Sequence, residues 1–174
     1  MKSLAFDWRG DELELKTLRF LSKLQAEHGL FRDAFQNLRT AAMVAPESPT
    51  TRLLQDEMNK EFVSLYLDGK ADKLKPLDAL SVYYDFREMT PIGRLGDEIV
   101  RKLADRLVGV DLLDQGAELL GYQIDTRLRG AARAQIAADL AVIHLLNHKP
   151  DRALAVLNKT RQAQLPTSVE RQRR

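Results

Sequence analysis

Apolar residues recur at intervals of three and four positions along almost the whole chain. This spacing places them on one face of an α-helix, whereas a half-buried β-strand requires strict alternation. The clearest run consists of Leu54, Met58, Phe62 and Leu65. The pattern therefore predicts an all-α chain, and the residues that interrupt it predict where each helix begins and ends.

Glycine, proline and capping residues divide this pattern into eight predicted helices. Gly29 stands where a helix end requires a left-handed residue. Ser48 and Pro49 are typical of an N-cap followed by proline at the first helical position. Asp11, with Glu14 three residues later, is predicted to cap the first helix as a capping box.

The spacing also predicts which side chains face inward. The first helix is expected to bury Leu18, Leu21 and Leu24. The fourth is expected to use Leu77, Leu80, Tyr83, Tyr84 and Phe86, with one of the adjacent tyrosines left on the surface. Trp8, ahead of the first helix, is expected to pack over the open end of the first helix pair.

Pairing consecutive helices gives four antiparallel hairpins, over residues 11–46, 48–91, 96–129 and 130–166. The second helix of each hairpin carries a small residue at its predicted closest crossing: Ala34, Ala79, Ala117 and Ala153. Two helices approach within 8–10 Å only where one of them presents little side chain. The sequence therefore predicts stacked helical hairpins, with the crossing residue recurring every 36 to 45 positions.

The first hairpin resembles a tetratricopeptide repeat, through Leu18, Leu21, Ser22, Gly29, Phe31, Ala34, Leu38, Ala41 and Pro46. The last hairpin is similar, through Ala137, Leu140, Ala141, His144, Ala153 and Leu157, although Pro166 comes one position late. The two middle hairpins depart from the family, with Leu74 at the turn glycine and Gly121 at a usually large position. Residues 83–86 and 111–115 look like parts of large bacterial repeat proteins of unassigned function. The resemblance implies a tetratricopeptide-like α-solenoid.

The predicted organisation is an N-terminal extension over residues 1–10, one helical-repeat domain over 11–166 and the start of a further helix over 167–174. Thr167, with Glu170 three residues later, is predicted to form the capping box of that helix. A helix that starts so near residue 174 indicates a segment of a longer repeat protein.

The whole chain has nearly equal numbers of basic and acidic residues, but they are unevenly distributed along the sequence. Lys and Arg number 27 against 25 Asp and Glu, so no chain-wide field can hold a polyanion. Basic residues concentrate near the end: Lys159, Arg161, Arg171, Arg173 and Arg174. This end is either a solvated helix face or a surface for nucleic acid or anionic lipid.

The sequence predicts no enzyme, no cofactor and no metal. Cysteine is absent, which excludes thiol catalysis and zinc bound by thiolates. His144 and His148 have the spacing of zinc ligands, but we expect His144 to pack at a helix seam and His148 to lie near a helix C-terminus. Phosphate-binding glycine motifs and an assembled Ser-His-acid set are missing. Residues 1–10 lack the apolar core of a secretory signal, and no apolar segment is long enough to span a bilayer.

A stack of hairpins exposes an inner surface made by the first helix of each pair. Arg19, Lys23, Lys102 and Arg106 are the predicted partner-binding residues on this surface, and they favour an acidic protein or peptide. Ordinary surface ion pairs are the competing interpretation of these four side chains. The open ends of the stack predict weak self-association.

The predicted function is thus a non-catalytic interaction or scaffold module that binds a peptide or partner helix on its inner face. Nucleic acid is not the expected partner. The alternative is nevertheless a nucleic-acid-binding domain that uses the basic end with Arg127, Arg129 and Arg133. A structural spacer without a binding surface is the third interpretation.

Overall fold

The chain adopts the helical structure that its apolar spacing predicts. In the computed structural model, which describes residues 12–162 and 165–173, all regular secondary structure is helical and no strand occurs. The described α-helices are α1 (Glu12–Glu27), α2 (Phe31–Val44), α3 (Pro49–Leu67), α4 (Pro76–Asp85), α5 (Arg94–Gly109), α6 (Leu113–Thr126), α7 (Gly130–Leu146), α8 (Pro150–Lys159) and α9 (Thr167–Gln172). Short 3-10 helices, Lys70–Lys73 and Arg87–Met89, follow α3 and α4. The predicted cap at Asp11, the predicted cover at Trp8 and the last basic residue, Arg174, lie outside the described residues.

The chain divides into two compact units. Unit 1 comprises residues up to 73 together with 77–90, and unit 2 comprises residues 74–76 together with those from 91 onward. Unit 1 therefore contains α1 to α3 and nearly all of α4, and unit 2 contains α5 to α9. The single repeat domain predicted over residues 11–166 stays a prediction.

Large aromatic side chains fill the interior of unit 1. The ring of Phe35 in α2 lies 5.7 Å from that of Phe62 in α3 and 5.4 Å from that of Phe86, centroid to centroid. Tyr66 donates its buried hydroxyl proton to the carbonyl of Ala79 in α4 at 3.0 Å. These contacts hold α4 against α2 and α3, since each aromatic pair adds about 0.5–1.5 kcal/mol beyond the area it buries.

Helix α4 confirms the prediction about its adjacent tyrosines, because Tyr83 is buried and Tyr84 reaches the surface. Leu77 is exposed, however, and the prediction that it faces inward is wrong. Its position in the first turn points away from the face that carries Ala79 and Tyr83, because 100° of rotation per residue places it on the opposite side.

Helix α1 buries a different face from the one predicted. Its buried residues are Leu15, Ser22 and Ala26, whereas Leu21 and Leu24 are exposed and Leu18 is partly buried. Small side chains face α2 and α3 because α1 packs closely against both of them. The larger apolar residues are left on the far side, where Leu13, Phe20 and Leu24 form a second apolar row, called here the α1 stripe.

Small residues set the packing of unit 2, in which α5 pairs with α6, α6 with α7 and α7 with α8. A Cβ atom on Gly116 of α6 would lie 3.0 Å from Cγ2 of Val108 and 3.3 Å from the carbonyl oxygen of Ala104. The α5–α6 crossing is therefore closest at Gly116, one residue before the predicted Ala117. Ala117 is buried beside it, as are the other predicted crossing residues, Ala34, Ala79 and Ala153.

Three hairpins close with the same turn. After α1, Gly29 has a φ of +78°, and the amide of Leu30 donates to the carbonyl of Gln25 at 2.8 Å, as in a Schellman motif. Asp111 and His148 occupy the same position after α5 and α7, with φ of +63° and +54°. The sequence revealed only Gly29, because non-glycine residues enter this region of φ rarely.

This turn sets a common register for the three hairpins. The small crossing residue stands five positions after the turn residue in each of them, at Ala34, Gly116 and Ala153. The connection from α3 to α4 differs, since it passes through the 3-10 helix Lys70–Lys73. The departure at Leu74 that the sequence indicated falls next to this segment.

The last helix, α9, packs against α7. Its Val169 is buried, and the guanidinium of Arg173 donates to the carbonyls of Ala134 in α7 and Leu157 in α8 at 2.8 and 2.7 Å. The predicted capping box is wrong. Pro166 takes the N-cap position without a side-chain hydrogen bond, so that Thr167 is already helical.

Candidate functional site

The predicted partner-binding residues of α1 face α3. Both Nε and Nη2 of Arg19 donate to the carboxylate of Glu57, at 2.9 and 2.5 Å. The hydrogen bond from Arg19 lowers the pKa of Glu57, and the charge of Lys23 adds to the effect. Arg19 therefore forms a surface ion pair between two helices, a contact that stabilises a fold by at most about 1 kcal/mol.

The two predicted residues of unit 2 lie on α5. Arg106 donates to the carbonyl of Leu74, and Lys102 is exposed. The predicted set treats Arg19 and Lys23 of α1 as equivalent to Lys102 and Arg106 of α5. Aligning the two hairpins by their shared turn gives a different equivalence. Arg19 stands ten residues before Gly29, and the residue ten before Asp111 is Arg101 rather than Lys102. Whether these residues bind a partner stays a prediction.

Two arginines that the sequence did not single out hold α4 against α2. Arg32 donates to the carboxylate of Asp85 and to the hydroxyl of Ser81. Arg39 lies 4.4 Å from the centroid of Phe86 and donates to Glu88 at 3.0 Å. No short motif marks these partners, because they are about fifty positions apart in the sequence. Their role is structural.

The basic residues near the end of the chain surround helix termini. Arg133 donates to the carbonyl of Ile124 at 3.0 Å, near the C-terminus of α6. Lys159 bonds to Asp125 at 2.7 Å, and Arg127 bonds to Asp97 at 3.0 Å. Basic groups at a helix C-terminus stabilise its exposed carbonyls and its dipole. Whether these basic residues bind nucleic acid stays a prediction.

His144 and His148 lie in and just after the last turn of α7. Among the residues described, no three His, Asp or Glu side chains come together where they could hold a metal ion. His144 has a buried Nδ1 atom, and burial lowers the pKa of its ring, as do the charges of Arg152 and Lys149. His148 is exposed in the turn after α7. These positions match the packing role expected for His144.

One face of α7 is only half covered. Gln135, Asp139, Val142 and Leu146 follow one another at intervals of four, three and four residues, and we call this face the α7 row. The side chain of Gln172 in α9 accepts a hydrogen bond from Nε2 of Gln135 at 2.6 Å and donates one to Asp139 at 2.7 Å.

The second half of the α7 row is apolar and open. Val142 and Leu146 are 44% and 55% exposed, and Leu145 beside them is 56% exposed. The side chains from α9 therefore bind the polar half of the row and leave the apolar half to solvent. Sequence periodicity could not find this site, because an exposed apolar residue follows the same spacing as a buried one.

Asp139 belongs to the α7 row, and Asp105 in α5 lies close enough for the two charges to interact. Burial raises the pKa of Asp105 in α5, and the negative charge of Asp139 raises it further, whereas Arg101 opposes the rise. An apolar surface with acidic groups at its edge binds side chains that combine an apolar stem with a positive end.

Comparisons with known proteins give no family for this chain: no family model, curated protein or solved structure matches it. The tetratricopeptide resemblance therefore stays a prediction. Within the described ranges, none of the helices is both long and apolar enough to cross a membrane.

Proposed function

We propose that this chain is a non-catalytic protein-interaction module that takes a partner helix on the open half of the α7 row. The exposed pair Val142 and Leu146 carries the proposal, because it continues a row on which α9 already packs. Helices that lie in such grooves use apolar residues at intervals of three and four, which match this spacing.

The edge of the row defines the chemistry of the partner. Asp105 and Asp139 favour Lys or Arg side chains on the flanks of the partner helix. This differs from the acidic partner expected from the sequence. The acidic expectation rests on Arg19, Lys23, Lys102 and Arg106. Of these, Arg19 pairs with Glu57 and Arg106 bonds to a backbone carbonyl.

The test uses a synthetic 18-residue amphipathic helix with leucines along one face and lysines beside them. Titration into the full chain, labelled at Val and Leu methyl groups, is expected to shift the NMR signals of Val142, Leu145 and Leu146. The double variant Val142→Glu, Leu146→Glu is expected to weaken binding at least about tenfold, which corresponds to about 1.4 kcal/mol.

Leu77→Glu is the matched control, since Leu77 is an equally exposed leucine of α4 in unit 1. Binding that survives in the double variant, or a complete lack of shifts at these methyl groups, would contradict the proposal. Self-association that disappears in the double variant but persists in the control would identify a second copy of the chain as the partner.

A further inference from the structure

The open part of the α7 row is shorter than a partner helix needs. The whole row, from Gln135 to Leu146, extends over about 16 Å, but Val142 and Leu146 alone cover only about 6 Å. A helix that lies in a groove contacts it through side chains at positions i, i+3 or i+4 and i+7, which span about 10 Å. Since α7 ends at Leu146, a partner with three such contacts must extend towards Asp139.

Helix α9 already occupies Asp139. Nε2 of Gln172 donates to Oδ1 of Asp139 at 2.7 Å, and Oε1 of Gln172 accepts from Gln135 at 2.6 Å. A lysine or arginine of the partner offers this carboxylate a full positive charge, which the neutral amide of Gln172 does not. Gln172 and a basic side chain of the partner therefore compete for the same carboxylate.

Helix α9 depends on its packing against the rest of unit 2. Val169 is its one buried residue, and its six residues are too few to form a stable helix in isolation. Arg173, which follows the helix, adds hydrogen bonds to the carbonyls of Ala134 and Leu157 at 2.8 and 2.7 Å. A single substitution at Val169 should therefore release α9 from α7.

We propose that α9 is an autoinhibitory segment, a role that rests on the partner binding proposed above. It covers Asp139 in the free chain and leaves the α7 row when a basic partner helix binds. A partner that binds only the form with α9 released has an apparent affinity reduced by the fraction of the chain in that form. Release of α9 therefore strengthens binding of the partner.

The test compares α9 variants of the full chain, with the same synthetic leucine-lysine helix as the ligand. Val169→Asp places a charge at the buried contact and is expected to lower the dissociation constant, measured by isothermal titration calorimetry, at least about tenfold. Ser168→Asp is the matched control, because it places the same charge on the neighbouring exposed residue of α9. At physiological salt it should change the dissociation constant by less than about twofold.

A second variant tests the competition for Asp139 and leaves Val169 in place. Gln172 is exposed, and Gln172→Ala removes the amide that bonds to Asp139, which should lower the dissociation constant about threefold. The side-chain amide of Gln172 also gives an NMR signal of its own. Addition of the synthetic helix to the wild-type chain is expected to move this signal to the position that it has in the unliganded Val169→Asp variant.

Two results would overturn this role of α9. The synthetic helix could bind while the Gln172 signal keeps its position, or it could bind Val169→Asp no more tightly than Ser168→Asp. Either result contradicts autoinhibition alone, because the synthetic helix still binds the chain. If the synthetic helix binds neither the wild-type chain nor any of the variants, the proposed function is wrong as well.

Discussion

The two units achieve helical packing with opposite kinds of side chain. Unit 1 fills its interior with Phe35, Phe62, Phe86 and their aromatic neighbours. After Thr90 the chain has one aromatic residue, Tyr122, and the buried residues of unit 2 are mainly aliphatic side chains, several alanines and Gly116. Large side chains keep neighbouring helix axes further apart, whereas small side chains let the two backbones come close together. Unit 1 should therefore be sensitive to the loss of volume and unit 2 to its gain.

The largest expected effect is the truncation of Phe35 in unit 1. Phe35→Ala removes a fully buried ring that contacts three others and should lower the free energy of unfolding by about 3–5 kcal/mol. Hydrogen exchange of the α2 and α3 amides measures this loss within unit 1. Leu77→Ala, at an exposed site, should change it by no more than about 0.5 kcal/mol. A similar effect of both variants would show that the interior of unit 1 is not especially sensitive to the loss of volume.

Two glycines of α6 test how sensitive unit 2 is to added side-chain volume. Gly121→Ala places a methyl group in open space and should stabilise the helix by about 0.5–1 kcal/mol. Gly116→Ala gains the same helix propensity, but its new methyl group would lie too close to Val108 and to the carbonyl oxygen of Ala104. Such overpacking costs about 1–3 kcal/mol. We expect a net loss of up to about 2 kcal/mol, measured by urea unfolding. Equal stabilisation by the two variants would show that the crossing is loose.

The smallest expected effect concerns the turns. His148→Gly removes the steric cost of a left-handed residue and should stabilise unit 2 by about 0.5–1 kcal/mol. Gly29→Ala should destabilise unit 1 by about 1 kcal/mol, because a Cβ atom at a left-handed residue crowds the following carbonyl oxygen. Thermal unfolding of the two variants measures both changes. If His148→Gly destabilises the protein, its side chain contributes more than the backbone strain removes.

The sequence predicted where the helices lie, but it was less informative about which face of each helix is buried. The proline at position 49, with Ser48 before it, gave the start of α3, and the hydroxyl of Ser48 accepts a hydrogen bond from Thr50 at 3.2 Å. Such signals act within a few residues, so that one sequence contains them completely. The exposed stripe of α1 was taken for a buried one, because spacing does not show which of two apolar faces has a neighbour.

The candidate site could not be predicted from the sequence, for a related reason. Gln172 of α9 reaches Gln135 and Asp139 on the α7 row, and no local pattern gives the point at which one helix stops covering another. The arginine contacts that hold α4 join residues far apart in the chain. The fold was thus largely predictable, and the site depended on distant contacts.

The turn shared by Gly29, Asp111 and His148 makes the hairpins interchangeable units of length. A chain cut at one of these turns and joined at another keeps the same backbone geometry at the joint. Duplication of a whole hairpin therefore needs no new kind of connection, because the residue at the junction keeps its left-handed φ.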